Sequence, residues 1–306
     1  MNKIGYCCIC LNINENLRPK DKIKVNRGMR KQTFLEKGLS YTSELTIKNL
    51  KDTLKILKWN KKNRILSYRL SSDIFPWLTE YHIEDLPNFS LIKKLLQDIG
   101  NYVINNDMRI GFHPPHFCVL ASQNPKVVKK SIHELNFTAK ILDLMGLEKN
   151  PYWGINIHIN TTQPSKEESA KRFCKNFKKL SNSAKRRLTI ENDDKKSQFS
   201  VKNLYNLIHS KIDIPIVFDF HHFNYGPQDQ ELEEALKLAI MTWNDIKPLT
   251  HMSSSKTIED PSSRETAHSD FIYSEIPFFN KYIFDCELEA KMKDKALLKY
   301  LNEYLK

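Results

Sequence analysis

Histidine and carboxylate residues recur in this sequence at the ends of short apolar runs, of the kind that form buried strands. A polar group at the end of a buried strand is costly unless it is paired or bound to a metal ion. Six such runs lead to the following residues: His113, His158, Glu191, the pair Asp219 and His222, His251, and Glu289. Because neutral imidazoles and carboxylates suit Zn, Mn and Fe, the pattern predicts a metal centre.

The number of these residues indicates more than one ion. With His268 and Asp270, in the polar loop after His251, the candidates exceed the roughly four or five ligands that one ion needs. A lone histidine at a strand end is more often hydrogen-bonded than metal-bound, so the prediction rests on their number. Two or three ions about 3.5–5 Å apart would stabilise the attacking and the leaving oxygen of an in-line phosphoryl displacement. The number of ligands therefore predicts phosphodiester hydrolysis.

Apolar periodicity predicts the elements that bring these residues together. Eight apolar runs are predicted as strands, over residues 4–11, 64–70, 108–112, 154–159, 187–190, 214–218, 248–252 and 282–288. Helical patterns follow the strands; the first helix is expected to start near Thr42, and another is expected over Phe271 to Asn280. The alternation predicts an α/β fold, a (β/α)8 TIM barrel forming a single domain over residues 1–306. Such barrels carry their active site at the C-terminal strand ends, where the candidate ligands fall.

The charge balance favours a polyanionic partner. The chain of 306 residues has 48 Lys and Arg against 36 Asp and Glu, a formal net charge of +12. Nucleic acid is the first partner that such a balance predicts, although an AT-rich genome also enriches Lys and Asn in any protein. The basic segment of residues 18–31 has two interpretations, a solvated loop or a rim that contacts phosphates.

Targeting and cysteine patterns predict an intracellular protein. The opening Met-Asn-Lys-Ile-Gly-Tyr is no secretion signal, and no apolar run nears the roughly 20 residues of a membrane span. Cys7 and Cys10 have C-x-x-C spacing, but without a second pair they are expected to be buried thiols. We expect a monomer without membrane association, in the cytoplasm or nucleus of a host, which the composition allows to be cellular or viral.

At the candidate ligands the sequence resembles the UV damage endonuclease family, a barrel relative of the endonuclease IV type of apurinic nuclease. The resemblance covers nearly the whole chain, in the family's order, and the combination of motifs is specific although no single one is. The matching segments are Ile4-Gly-Tyr-Cys-Cys8, Tyr68-Arg-Leu-Ser-Ser-Asp-Ile-Phe-Pro76, Gly111-Phe-His-Pro114, Leu142-Asp-Leu-Met-Gly146, Ile155-Asn-Ile-His158, Leu188-Thr-Ile-Glu-Asn-Asp-Asp194, Phe218-Asp-Phe-His-His222, His251-Met-Ser-Ser254, Ala267-His-Ser-Asp270 and Glu289-Ala-Lys-Met-Lys-Asp-Lys-Ala-Leu-Leu298.

The resemblance implies a hydrolase that nicks damaged double-stranded DNA immediately 5′ to a UV photoproduct or another distorting lesion. It implies divalent ions, Mn²⁺ first, with Mg²⁺, Co²⁺ and Zn²⁺ as alternatives. The ligands that the motifs imply are His113, His158, Glu191, Asp219, His222, His251, His268 and Glu289. Asp270 follows as a ligand or as the partner of one. Glu191, Asp219, His251 and Glu289 are the expected catalytic residues.

The chain departs from the family pattern at several positions. The loop after the third strand, His113-Pro-Pro-His-Phe117, is named the wedge loop here, because His116 and Phe117 take the places of the residues that enter the duplex at the lesion. Glu80 stands where the family has a ligand histidine; as a carboxylate it is expected to bind an ion there, with nearby His82 as the alternative. Leu249 stands where the family often has a lysine. Tyr6 and Arg69, within matching segments, are expected to contact DNA; a buried barrel tyrosine is the alternative for Tyr6.

Two other active functions stay open. An abasic-site endonuclease of the endonuclease IV type would use the same ions with a different wedge. A metal-dependent sugar isomerase also gathers histidines and carboxylates in a barrel, but it needs neither a charge of +12 nor the basic segment 18–31. A catalytically inactive DNA-binding relative is disfavoured by the completeness of the ligand set.

Overall fold

Eight parallel strands close into a barrel in the computed structural model, which describes residues 2–305. β8 pairs with β1 and so closes the barrel. The strands are β1 Ile4–Cys7, β2 Ser67–Leu70, β3 Arg109–Phe112, β4 Ile155–Ile157, β5 Leu188–Glu191, β6 Ile216–Asp219, β7 Leu249–Met252 and β8 Asp285–Leu288. The predicted (β/α)8 barrel is therefore confirmed. Residues 1 and 306 of the predicted single domain lie outside the described residues.

Helices surround the barrel on its outer side. They are α1 Lys31–Lys62, α2 Phe89–Asn105, α3 Pro125–Leu144, α4 Lys166–Phe177, α5 Asn182–Arg187, α6 Val201–Leu204, α7 Ser210–Ile212, α8 Phe220–Tyr225, α9 Leu232–Met241 and α10 Lys293–Tyr304. Serine side chains cap the first turns of α4, α5 and α6 by accepting a backbone N–H, which explains where these helices begin. No helix in the described part of the chain has both the length and the apolar character of a membrane span.

The first helix starts earlier than its apolar face predicts. α1 begins at Lys31 rather than near Thr42 and is interrupted at Gly38, whose φ of 58° lies outside the helical range. A positive φ costs glycine little, so the chain can bend there. Leu50 and Leu57 of the predicted face are buried against the barrel. The longer helix removes Lys31 from the basic segment that the sequence predicted as a loop.

The connection between β7 and β8 carries no α-helix, so the helix predicted over Phe271 to Asn280 is wrong. The physical reason is Pro277, which lacks a backbone N–H and disfavours helical conformation in the preceding residue. The segment instead packs as turns, with Ile272 and Ile276 buried. The backbone N–H of Ile276 donates to the Tyr300 hydroxyl at 3.0 Å. This hydrogen bond attaches the segment to α10.

A buried ion pair fills the N-terminal end of the barrel. Arg109 at the start of β3 and Asp285 at the start of β8 are 2% and 0% exposed. Arg109 Nη1 donates to Asp285 Oδ2 at 3.1 Å and to the carbonyl of Pro248 at 2.9 Å. Asp285 also accepts the backbone N–H of Lys3 at 2.7 Å. These charges are paired, so they serve the barrel rather than the chemistry at its opposite end.

Candidate metal centre

The candidate ligands lie at the C-terminal ends of six neighbouring strands. Glu191 and Asp219 are the last residues of β5 and β6, and His251 lies within β7. His113, His158 and Glu289 come directly after β3, β4 and β8. Parallel strands in a closed barrel direct these ends to the same mouth, so residues far apart in sequence meet there.

Glu191 lies at the centre of this group and is completely buried. Its carboxylate is 3.2 Å from His113 Nε2 and 3.1 Å from His251 Nδ1. It is also 3.8 Å from His158 Nε2 and 3.3 Å from His222 Nδ1. Four imidazoles thus surround a single carboxylate, which is a much higher density of ligand atoms than a structural ion pair needs.

The ligand atoms form two groups that share one residue. One group is His113, His158 and Glu191, and the other is Glu191, Asp219 and His251, with ligand atoms within 4.8 Å of one another in each. Because Glu191 belongs to both, its two oxygens can serve neighbouring ions. Further potential ligands adjoin the groups: His222 Nδ1 is 3.8 Å from Asp219 Oδ2, and His251 Nδ1 is 3.4 Å from Glu289 Oε1.

Unsatisfied atoms at the centre fit bound cations. Glu191 Oε1, Asp219 Oδ2 and His251 Nδ1 are buried and have no hydrogen-bond partner of good geometry. Orphaned buried polar atoms are rare in proteins because each forfeits its interactions with water. Two carboxylate oxygens and an imidazole nitrogen that converge in this way are a suitable donor set for divalent ions such as Mn²⁺ and Zn²⁺.

Buried imidazoles of the centre hold protons at the positions where an ion would bind. Burial alone raises the pKa of Glu191, but the charges of His251 and His158 outweigh it and hold the pKa well below its usual value. Burial alone lowers the pKa of His251, but the Glu191 and Glu289 carboxylates together outweigh it and raise the pKa to about 9. His113 differs, because burial dominates and lowers its pKa. A cation that binds here must therefore displace protons.

Neighbouring polar groups orient the ligands, and the sequence prediction did not include them. His158 Nδ1 lies 3.1 Å from Asp193 Oδ1, and His222 Nδ1 lies 3.0 Å from the carbonyl of Asn192. Asn156 Nδ2 donates to Glu191 Oε2. Asn192 and Asp193 follow Glu191 directly in sequence, which is the signal that could have identified them. Such partners fix the orientation of a ligand.

Arg69 and Glu287 lie inside the barrel beneath the centre. Arg69 Nη1 donates to Glu289 Oε1 at 2.5 Å, and its Nε is 3.9 Å from Glu287 Oε2. His251 Nε2 is 3.6 Å from the same Glu287 oxygen. The expectation that Arg69 contacts DNA does not fit this position, because alternation along β2 turns its side chain inward. Glu287 was missed because it precedes the strand end by one residue.

Four other predicted site residues have different surroundings. His268 Nε2 is 3.8 Å from Glu289 Oε2, at the edge of the centre. Asp270 pairs with Lys256 at 3.1 Å, and Glu80 pairs with Lys130 at 2.6 Å. Neither carboxylate belongs to the two ligand groups found among the described residues. Tyr6 is fully buried and donates to Asn60 Oδ1 at 2.7 Å, which corrects its expected contact with DNA.

The wedge loop projects beside the centre. Phe117 is 73% exposed, more than any other aromatic side chain among the described residues. The His116 ring lies against it, with ring centroids 3.9 Å apart. The loop begins at His113, which belongs to one ligand group, so only Pro114 and Pro115 separate the exposed pair from the centre along the chain.

The closed parallel barrel and the histidine and carboxylate cluster at its C-terminal mouth define a TIM-barrel protein with a metal-type site. The family model described as UV-endonuclease UvdE matches residues 2–306. The chain belongs to this family. A UV DNA damage endonuclease of Bacillus cereus (strain Q1) is 35% identical over 270 residues, covering 85% of this chain and 82% of that protein. The crystal structure of SacUVDE has a TM-score of 0.84 at 32% identity and covers 99% of both chains.

The comparisons confirm the predicted family and, with it, the prediction of an endonuclease, a hydrolase of DNA phosphodiester bonds. A UV DNA damage endonuclease of Clostridium perfringens (strain 13 / Type A) is 34% identical, covering 98% of this chain and 70% of that protein. Endonuclease IV from Thermus thermophilus shares 12% identity and a TM-score of 0.57, over 82% of this chain and 93% of that one. At that identity the likeness shows the fold alone.

Proposed function

We propose that the chain is a metal-dependent repair endonuclease that nicks damaged duplex DNA on the 5′ side of a UV photoproduct or another distorting lesion. The observation that carries the proposal is the pair of ligand groups that share Glu191 at the barrel mouth. Exposed Phe117 beside this centre and the formal net charge of +12 support a DNA substrate. Its place of action is wherever the host's DNA lies, so an intracellular location is part of the proposal.

Two or three divalent ions, Mn²⁺ first, are the proposed cofactors. His113 and His158 would hold one ion, Asp219 and His251 would hold a second, and Glu191 would serve both. Bound there, such ions polarise a phosphodiester and stabilise the charge that develops on its oxygens. His222, His268 and Glu289 complete the proposed set, and Asp270 and Glu80, held by lysines, are left at its edge.

The side chains of the centre have separable proposed roles. Glu191, Asp219, His251 and Glu289 would hold the ions, and ions held there would orient the scissile phosphodiester. Arg69 holds the Glu289 carboxylate at 2.5 Å and so fixes its position. Buried side chains fill the barrel beneath the site and exclude water from the inner side of the site.

The wedge loop is the proposed source of lesion selectivity. Phe117 can stack on a base that photodamage has unstacked, since a damaged step costs less to open than an intact one. His116 packs against Phe117 and supports that ring. The chain is proposed to act as a monomer, because one barrel supplies the full ligand set.

A defined duplex tests the proposal. A 5′-labelled duplex with a single cyclobutane dimer is incubated with Mn²⁺, and the products are resolved at single-nucleotide resolution. The expected product is one nick 5′ to the dimer, which depends on Mn²⁺ and is lost in Glu191→Gln. Asp245→Asn, which removes an exposed carboxylate, is the matched control and keeps activity.

Three outcomes would contradict the proposal in different ways. No cleavage of any damaged duplex with Mn²⁺, Mg²⁺, Co²⁺ or Zn²⁺ by a well-folded chain would exclude the nuclease function. Equal nicking of an abasic duplex and of the dimer duplex would instead favour an abasic-site endonuclease. A variant that keeps full activity without Glu191 would show that the shared carboxylate is not part of the reaction.

A further inference from the structure

A continuous groove leads from the metal centre down the outside of the barrel. Asn160 lines both the recess that holds His158 and His222 and the recess beside the wedge loop. Ser122 and Gln123 line both that second recess and a groove between α3 and α4. The three hollows therefore adjoin, and the exposed ring of Phe117 lies along the middle one.

The groove between α3 and α4, here the α3–α4 groove, has an unusual charge. Its volume is about 420 Å³, with an apolar floor that includes Val128. Lys129 from α3 lines one side, and Lys175 and Lys179 line the other. No carboxylate lines this groove or the recess beside the wedge loop, among the described residues. A cationic groove without acidic groups attracts polyanions.

The groove is built from fixed elements. Arg172 on α4 donates from Nε to the carbonyl of Ala121 at 2.8 Å and from Nη2 to Ser169 Oγ at 3.0 Å. Buried Asn176 donates to the carbonyl of Leu120 at 2.8 Å. The bonds to the carbonyls of Ala121 and Leu120 attach α4 to the segment that precedes α3. Lys129, Lys175 and Lys179 remain exposed on the surface that this arrangement presents.

We propose that the α3–α4 groove binds the phosphate backbone of one duplex arm that flanks the lesion. The proposal rests on the proposed function and extends it beyond the metal centre. Continuity with the wedge loop favours DNA over an acidic protein segment, because a duplex engaged by Phe117 must leave the site along some path. The 12 residues of α4 extend roughly 18 Å, enough for about five phosphates of one strand.

Binding of duplexes of different lengths tests this inference. The variant Lys129→Gln, Lys175→Gln and Lys179→Gln removes three charges from the groove. The matched control, Lys51→Gln, Lys58→Gln and Lys93→Gln, removes three charges from exposed positions on α1 and α2. Duplexes carry one dimer with either two long arms or one arm cut close to the lesion, and binding is measured by anisotropy at several salt concentrations.

The groove variant is expected to bind the long duplex at least about tenfold more weakly, with a salt slope shallower by about 2.7, because three phosphate contacts are lost. Shortening one of the two duplex arms should weaken DNA binding by the unmodified chain. On that shortened duplex the unmodified chain and the groove variant should bind with the same affinity. The inference fails if the two triple variants bind alike, or if the groove variant loses affinity equally on every duplex. Failure of the proposed function is distinct, since the unmodified chain would then nick no damaged duplex.

Discussion

Metal affinity should depend steeply on pH because a proton occupies the centre in the absence of the ion. The His251 ring is fully buried and has Glu191 at 3.1 Å, Glu289 at 3.4 Å and Glu287 at 3.6 Å. Burial lowers the pKa of His251, but the nearby Glu191 and Glu289 carboxylates together outweigh it and raise the pKa to about 9. At neutral pH the ring is therefore protonated, and it must lose its proton before it can bind a cation.

The magnitude follows from the competition between proton and cation. With a pKa of about 9, the apparent affinity rises about 90-fold between pH 6 and pH 8, which is about 2.7 kcal/mol. A histidine with an ordinary pKa would give only about fourfold over the same range. Raised pKa values of His158 and His222 act in the same direction, so the figure is a lower bound.

Calorimetry and chelator competition measure this effect. Mn²⁺ affinity is determined at about pH 6 and about pH 8, in buffers that differ in ionisation enthalpy, and at least one proton should be released per ion near neutral pH. The exposed His82→Asn variant serves as the control and should keep the steep dependence. A change of less than about fivefold, or binding without proton release, would refute the argument that Glu191 holds a proton on His251.

Four other predictions concern single residues. Asp219→Asn should remove about one bound Mn²⁺ per chain and Glu191→Gln about two, by metal analysis after desalting, because only Glu191 is in both groups. Phe117→Ala should weaken lesion binding by about 5- to 150-fold without lowering the Tm, since the ring is exposed. Burial raises the pKa of Glu134 to about 7, so the fold loses stability as pH rises from about 4.5 through 7. In urea melts Glu134→Gln should remove this loss, and at pH 8 it should raise the free energy of unfolding by about 2–3 kcal/mol. Arg187→Met should cost about 3–5 kcal/mol in the same melts, because it leaves the buried oxygen partners of Arg187 unpaired.

Local apolar patterns in the sequence are enough to predict the fold and most of the ligand types. Buried parallel strands need apolar side chains on both faces, so each strand and its polar end are visible as a local pattern. His113, His158, Glu191, Asp219 and His251 were predicted in this way, and the structure brings all five to the barrel mouth. The helix over 271–280 failed because apolar spacing alone outweighed Pro277 in the prediction.

Closure of the barrel sets which residues lie together at the metal-type site and which face away from it. Glu191 acquires its central position because β5 lies between strands that carry histidines, a relation that exists only after the barrel closes. Arg69 and Glu287 look like surface charges in the sequence, yet the direction of their side chains places them inside the barrel. Glu80 and Asp270 are held by Lys130 and Lys256 instead of joining the ligand groups. Local sequence specifies the strand ends, whereas distances between those ends depend on contacts between residues that are far apart along the chain.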